Sequence, residues 1–188
     1  TLERAGADCI QLEDQVSPKR CGHFNGKEVI EASEMIGKIK AACDARRNSD
    51  TIIMARTDAA AIHGFDAAVE RAQQYAEAGA DLLFVEAVTS AEHIAALPQR
   101  LKTPQLMNMV IGGKTPITST EELAKMGYGI VLYANAALQG AVAGMQRALG
   151  VLKNEGHIQE DPNLVAPFAE RQRLVNKPIW DALEKKYQ

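Results

Sequence analysis

The sequence has no apolar run approaching the roughly 20 residues that a membrane-spanning helix needs. It has no block of Lys and Arg either: 21 basic residues face 24 acidic ones, for a net charge of −3. That balance excludes the electrostatic footprint of a nucleic-acid binder. Cysteine is sparse and odd in number, with only Cys9, Cys21 and Cys43. A disulfide framework is not expected, and a reducing, cytoplasmic compartment fits best. Two phosphate-binding signatures are missing. No G-x-G-x-x-G follows the first apolar run, and the glycine-rich stretch NMVIGGKTP (108–116) lacks the G-x-x-x-x-G-K-[ST] spacing. The chain also begins without Met and without a signal-like segment. It opens on TLERAGAD, which reads as the last turn of a helix because Gly6 suits a C-cap. The expectation is that these residues form the later portion of a longer protein.

What is present is a repeat. ERAGADCIQLED (3–14) aligns with AEAGADLLFVEA (76–87): a helix end, A-G-A-D, an apolar-rich run, then Glu. A weaker copy, KMGYGIVLYA (125–134), lacks the acid. Two further apolar runs lie between the copies, TIIMARTD (51–58) and QLMNMV (105–110), giving five candidate strands. They lack polar alternation and read as strands buried on both faces. Helical patterns separate them. ASEMIGKIKAACDARR places Ile36, Ile39 and Cys43 on one face with Ser33 as a candidate N-cap, and FDAAVERAQQYAEAG groups Val69, Ala72 and Ala76. Strands alternating with helices imply βαβ units and a parallel sheet. The tail differs: EGHIQEDPNL is a polar linker, and the residues after it read as helix interrupted near Pro178, with no further strand. Two architectures fit, the later five βα units of a (β/α)8 barrel and an open doubly wound sheet; the missing glycine fingerprint counts against the second.

In a barrel, functional groups gather at the C-terminal ends of the strands. Here those ends carry Glu13 and Asp14, Arg56 and Asp58, Glu86, Asn108, and Asn135. Clustered Glu13 and Glu86 suit Mg²⁺, a hard cation preferring oxygen ligands, and equally suit salt bridges. Arg56 is a fork for a substrate carboxylate, or the ion-pair partner of Glu13 or Glu86. Between the first two strands lies QVSPKRCGHFNGKEV (15–29). Cations lower a thiol's pKa, so Lys19, Arg20 and His23 near Cys21 describe a reactive cysteine, while a solvent-facing basic turn is the plainer alternative. A Cys21–His23 metal pair has too few companions for a zinc site. Gly22 and Gly26 let the backbone bend around a ligand. The remaining histidines, His63, His93 and His157, are expected at the surface without a role.

Taken in order, LEDQ…PKRCGH, MARTDA, FVEA and NMV-GGKTP resemble the isocitrate lyase / phosphoenolpyruvate mutase superfamily across nearly the whole chain. K-R-C-G-H is the specific part and is similar to the lyase branch, which includes 2-methylisocitrate lyases, 2,3-dimethylmalate lyases and oxaloacetate hydrolases. The resemblance implies a Mg²⁺-dependent (Mn²⁺-tolerant) (β/α)8 barrel. The later five βα units would span residues 1–153, and a linker with C-terminal helices exchanged between subunits would span 154–188. It implies a homo-oligomer, a dimer of dimers, acting on a small carboxylate substrate. Cys21 matches the catalytic acid/base; Glu13 a metal-associated acid acting through water; Arg56 a catalytic and carboxylate-binding group. Lys19, Arg20, Gly22, His23, Glu86 and Asn108 match substrate-pocket positions. The family's D-x-D metal acids have no counterpart here, so the principal metal ligands are expected upstream of Thr1. The implied activity is carbon–carbon cleavage of a 2-hydroxy di- or tricarboxylate. The alternatives are oxaloacetate or phosphonopyruvate chemistry on the same fold, and an inactive fragment.

Overall fold

The computed structural model describes residues 1–21 and 26–188, divided into two units, Thr1–Ala134 and Asn135–Gln188. The first unit opens on a 3-10 turn, Glu3–Ala5. Five strands follow: β1 (Cys9–Glu13), β2 (Ile52–Thr57), β3 (Leu82–Val85), β4 (Leu106–Asn108) and β5 (Ile130–Leu132). Between them lie α1 (Ala32–Ala45), α2 (Ala60–His63), α3 (Phe65–Glu77), α4 (Ala91–Arg100) and α5 (Thr120–Met126). Every named pairing is parallel. β1, β2 and β3 form one sheet in that order and β4 pairs with β5; a single bridge, Leu83 to Gln105, joins β3 to the start of β4.

The repeat in the sequence has a backbone cause. Gly6, Gly79 and Gly127 all lie at positive φ (91°, 112° and 109°). Each ends a helical segment in the left-handed conformation that glycine adopts without penalty, and each turns the chain into a strand.

Strand side chains alternate between two faces. On one face Ala55, Leu83, Val85 and Met107 pack with Met35, Ile39, Val69, Ala72, Tyr75, Ile94, Leu97 and Leu123 from the helices. This is the main core. On the other, Met54, Leu82, Phe84 and Leu106 form a smaller apolar cluster. Two residues further along each strand the second face turns polar, at Arg56, Glu86 and Asn108. The register places Glu13 opposite Arg56 and Arg56 opposite Phe84, so β1 adds its acid to the same face. Period-two geometry thus stacks an apolar floor beneath a charged rim. Strands β2, β3 and β4 are buried as the sequence suggests, apart from half-buried Ile52. The outer strands differ. β1 alternates between exposed and half-buried residues, and Ile130 and Leu132 of β5 are exposed. Each has one named neighbour, so only one edge is covered.

Ser33 and His93 also differ from what the sequence suggests. Ser33 does not cap α1. The chain enters the helix at Glu31, fixed by the Ile30 N–H donating to the Asp14 carbonyl at 2.8 Å, and Ser33 falls inside the first turn. His93 is half-buried and stacks on Phe65 with ring centroids 4.0 Å apart.

The second unit holds α6 (Ala136–Glu155), α7 (Phe168–Leu174) and α8 (Lys177–Tyr187). The break between the last two comes from Asn176, at a φ of 53°, rather than from Pro178. Pro178 sits in the first turn of α8, where its missing N–H costs no helical hydrogen bond. The Trp180 indole N–H staples the turn by donating to the Val175 carbonyl at 3.0 Å. Among the described residues no helix is long and apolar enough to cross a membrane.

Candidate active site

Arg56 is the hub. It leaves the end of β2 on the inner face, with its guanidinium 4.9 Å above the Phe84 ring, so an aromatic face supports the cation from below. Three carboxylates surround it. Nε lies 2.9 Å from Asp58 Oδ2 and 3.3 Å from Glu13 Oε2; Nη2 donates to Asp58 Oδ1 at 3.2 Å; Nη1 lies 3.0 Å from Glu86 Oε2. The Arg56 side chain keeps 10% of its surface exposed.

Two lysines complete the cluster. Lys19 Nζ reaches Glu13 Oε1 at 3.1 Å, and Lys27 Nζ lies 3.4 Å from Asp58 Oδ1 with its side chain almost wholly buried. Three carboxylates are thereby matched by Arg56, Lys19 and Lys27. Burial by itself would lower the Arg56 pKa, but the Asp58 hydrogen bond and the charges of Glu86, Asp58 and Glu13 outweigh it and raise the value. Burial pushes Asp58 upward, yet hydrogen bonding and charge from Arg56, a hydrogen bond from Gln15 and the charge of Lys27 hold it below the ordinary carboxylate range. The pair stays ionised at neutral pH.

Glu86 is aimed by the backbone. The next residue, Ala87, has a φ of 58°, unusual for a residue with a Cβ, and its N–H donates to Glu86 Oε1 at 2.8 Å. The other oxygen, Oε2, takes Arg56 and the Asn108 amide N–H at 3.4 Å. A carboxylate there obliges Asn108 to present its NH2 to Glu86. Its Oδ1 is buried with no hydrogen-bond partner among the described residues.

Behind this layer, Asp14 accepts from the Asp58 N–H through Oδ1 at 3.0 Å and from the Tyr75 hydroxyl through Oδ2 at 2.8 Å. Arg71 donates to the Tyr75 oxygen at 3.2 Å and to the Ile30 carbonyl at 2.7 Å. This scaffold joins the ends of β1 and β2 to α3.

The loop after β1 is clamped at its base. Gln15 bridges Val29 in antiparallel fashion, and the Val16 N–H donates to the Glu28 carbonyl at 2.9 Å. Cys21 follows, exposed. Gly22 and His23 lie outside the described residues. Thus Glu13, Arg56, Glu86 and Asn108 meet at one place, Lys19 joins them through Glu13, and the Arg20 main chain is bonded to Gln15. Sequence reasoning missed Lys27 and Gln15, and named Asp58 only as a strand-end group. A polar residue directly after the L-E-D strand end was the available signal for Gln15; a lone lysine in a basic loop gave none.

Among the described residues no group of three His, Cys, Asp or Glu side chains could hold a metal ion, and the Glu13 oxygens face Lys19 and Arg56. By themselves these residues do not build the oxygen shell that Mg²⁺ requires.

A parallel α/β fold with arginine and carboxylates gathered at the strand ends is the arrangement in which barrel enzymes place their functional groups. The chain belongs to the phosphoenolpyruvate phosphomutase family, whose profile matches residues 1–152. It is 46% identical over 185 residues to the 2,3-dimethylmalate lyase of Eubacterium barkeri, covering 98% of this chain and 64% of that protein. It is 46% identical over 155 residues to a 2-methylisocitrate lyase of Aeropyrum pernix, covering 82% and 50%. The crystal structure of a 2,3-dimethylmalate lyase, a PEP mutase/isocitrate lyase superfamily member, superposes with a TM-score of 0.86 at 35% identity, over 97% of this chain and 62% of that one. A phosphonopyruvate hydrolase in complex with oxalate and Mg²⁺ superposes with a TM-score of 0.81 at 29% identity, over 98% and 64%. The chain therefore spans about half to two thirds of the length of the relatives it matches.

Proposed function

We propose that the protein containing this chain is a carbon–carbon lyase of the oxo-acid-lyase type. Its substrate class is a small 2-hydroxy di- or tricarboxylate resembling 2,3-dimethylmalate or 2-methylisocitrate. The observation that carries this reading is the convergence of Glu13, Arg56, Asp58, Glu86 and Asn108 beside the loop that bears Cys21.

In this reading the five βα units are the later part of a (β/α)8 barrel spanning 1–153. Residues 154–188 form a linker and helices exchanged between subunits of a cytoplasmic dimer of dimers. Mg²⁺ is the cofactor of the whole protein, and Glu13 would act on it as a metal-associated acid through water. Arg56 holds the carboxylate next to the reacting carbon and balances the charge that develops there. Glu86 and Asn108 orient the rest of the substrate, with Asn108 Oδ1 accepting from a substrate hydroxyl. As the hydroxyl gives its proton to a water molecule, a C=O bond forms and the adjacent C–C bond breaks. The electron pair stays on the carboxylate fragment, and Cys21 delivers its S–H proton to that carbon, leaving a thiolate that water reprotonates.

The test is a panel of 2-hydroxy acids with Mg²⁺ and the full-length protein. Cys21→Ser should lower turnover of the cleaved substrate by about 10²–10⁴-fold, the usual range for losing a positioned acid. Full retention of activity sinks the role given to Cys21. Oxalate and acetate from oxaloacetate would move the activity to hydrolysis on the same fold.

A further inference from the structure

The Gln15 side chain does more than its place at the end of β1 requires. It is buried, with 8% of its surface exposed. Its Oε1 accepts the Arg20 N–H at 2.9 Å, and its Nε2 donates to the Arg20 carbonyl at 2.9 Å. The amide thus grips both main-chain groups of the residue immediately before Cys21. An amide has two donors on one side and an acceptor on the other. The Arg20 main chain offers one acceptor and one donor, so it sets which way the amide points, and the same amide helps to hold the nearby Asp58 carboxylate ionised.

We propose that Gln15 is the positioning residue for Cys21. It ties the Arg20 main chain to the end of β1, whose Glu13 pairs with Arg56, so that Cys21, the next residue, is held in register with the bound carboxylate. The proposal rests on the reading of Cys21 as the proton donor, and it deepens that reading by naming what places the donor. A proton donor is sensitive to placement: a shift of about 1 Å can cost on the order of 10²-fold in rate. Arg56 and Asn108 are held by Glu13, Asp58 and Glu86, none of which Gln15→Met or Gln15→Glu replaces.

Two near-isosteric variants of the full-length protein test it. Gln15→Met keeps the volume and removes both hydrogen bonds to the Arg20 main chain. Gln15→Glu keeps the acceptor for the Arg20 N–H but sets an acid against Asp58 and the Arg20 carbonyl. Both should lower kcat by about 30–100-fold with KM changed less than about threefold, a loss confined to the transition state. Gln15→Glu should recover as the pH falls, because protonating the new carboxyl restores one donor; Gln15→Met should not. A second readout does not use activity. Trypsin cleavage after Arg20 needs that main chain to open, so both variants should be cut about tenfold faster or more, as expected when local opening governs proteolysis. An unchanged cleavage rate in both variants overturns the proposal, as does a kcat within twofold of the parent. Faster cleavage together with a fully active Cys21→Ser variant would keep Gln15 as the residue that fixes this loop while removing the catalytic role of the thiol, so the two failures are told apart.

Discussion

Removing one oxygen from the scaffold behind the site should be costly. The Tyr75 hydroxyl is fully buried and stands between two charged groups: it donates to Asp14 Oδ2 at 2.8 Å and accepts from Arg71 at 3.2 Å. Burial, and then the neighbouring Asp14 charge, push the Tyr75 pKa upward, so the hydroxyl remains a donor throughout the ordinary pH range. Tyr75→Phe keeps the ring, leaves no sizeable cavity, and removes both bonds. Hydrogen bonds to charged groups contribute about 1.5–3 kcal/mol each. Arg71 retains the Ile30 carbonyl at 2.7 Å and Asp14 at 3.4 Å, so its loss is small. Asp14 loses its shortest bond while still accepting from the Asp58 N–H and from Arg71. The expected destabilisation is about 2 kcal/mol. At roughly 2–4 °C per kcal/mol for chains of 150–250 residues, that is a fall in Tm of about 4–8 °C. Urea unfolding at pH 7 gives the free energy and scanning calorimetry the midpoint. A change below about 0.5 kcal/mol would refute the claim that the hydroxyl holds Asp14, and with it the idea that α3 fixes the ends of β1 and β2.

Two further outcomes follow from the charge cluster. Arg56→Lys replaces a fork by a point charge that cannot serve Glu13, Asp58 and Glu86 together, so steady-state kinetics should show kcat/KM reduced by about 10²-fold or more; a change under threefold would remove Arg56 from carboxylate binding. Asp58 carries a depressed pKa, so the stability it contributes is present above its unfolded value near 4 and is lost as pH falls through the lower folded value. The difference in unfolding free energy between the parent and Asp58→Asn should therefore shrink from pH 7 toward pH 2, and a difference that stays constant would show that the carboxylate charge is not what stabilises the site.

Much of the site could be read along the chain because strand ends are local. Arg56, Glu86 and Asn108 each follow or end an apolar run, and the repeat alone set Glu13 and Glu86 at equivalent positions. The pairing of strands supplied the rest, since parallel register brings equivalent ends together. What stayed hidden depends on contacts between residues far apart in sequence. Tyr75 reads as one more apolar position of α3, and nothing near it announces Asp14. Lys27 looks like part of a solvated basic loop until Asp58 draws it inward. The outer strands were misjudged for a related reason: an apolar run says that a strand wants neighbours on both faces, not that the residues at hand supply them. Ser33 failed as a cap because a tertiary bond at Ile30 chose the helix entry first.

Ala87 bends the chain at the point where Glu86 must turn toward Arg56. Holding a residue with a Cβ in the left-handed well costs roughly 1–2 kcal/mol. Glycine would sit there freely, but it would also let the peptide swing and take the carboxylate with it. The strained alanine acts as a preload. The acid is already cocked against the guanidinium by the backbone itself, so under the proposed function none of a substrate's binding energy would be spent on turning it.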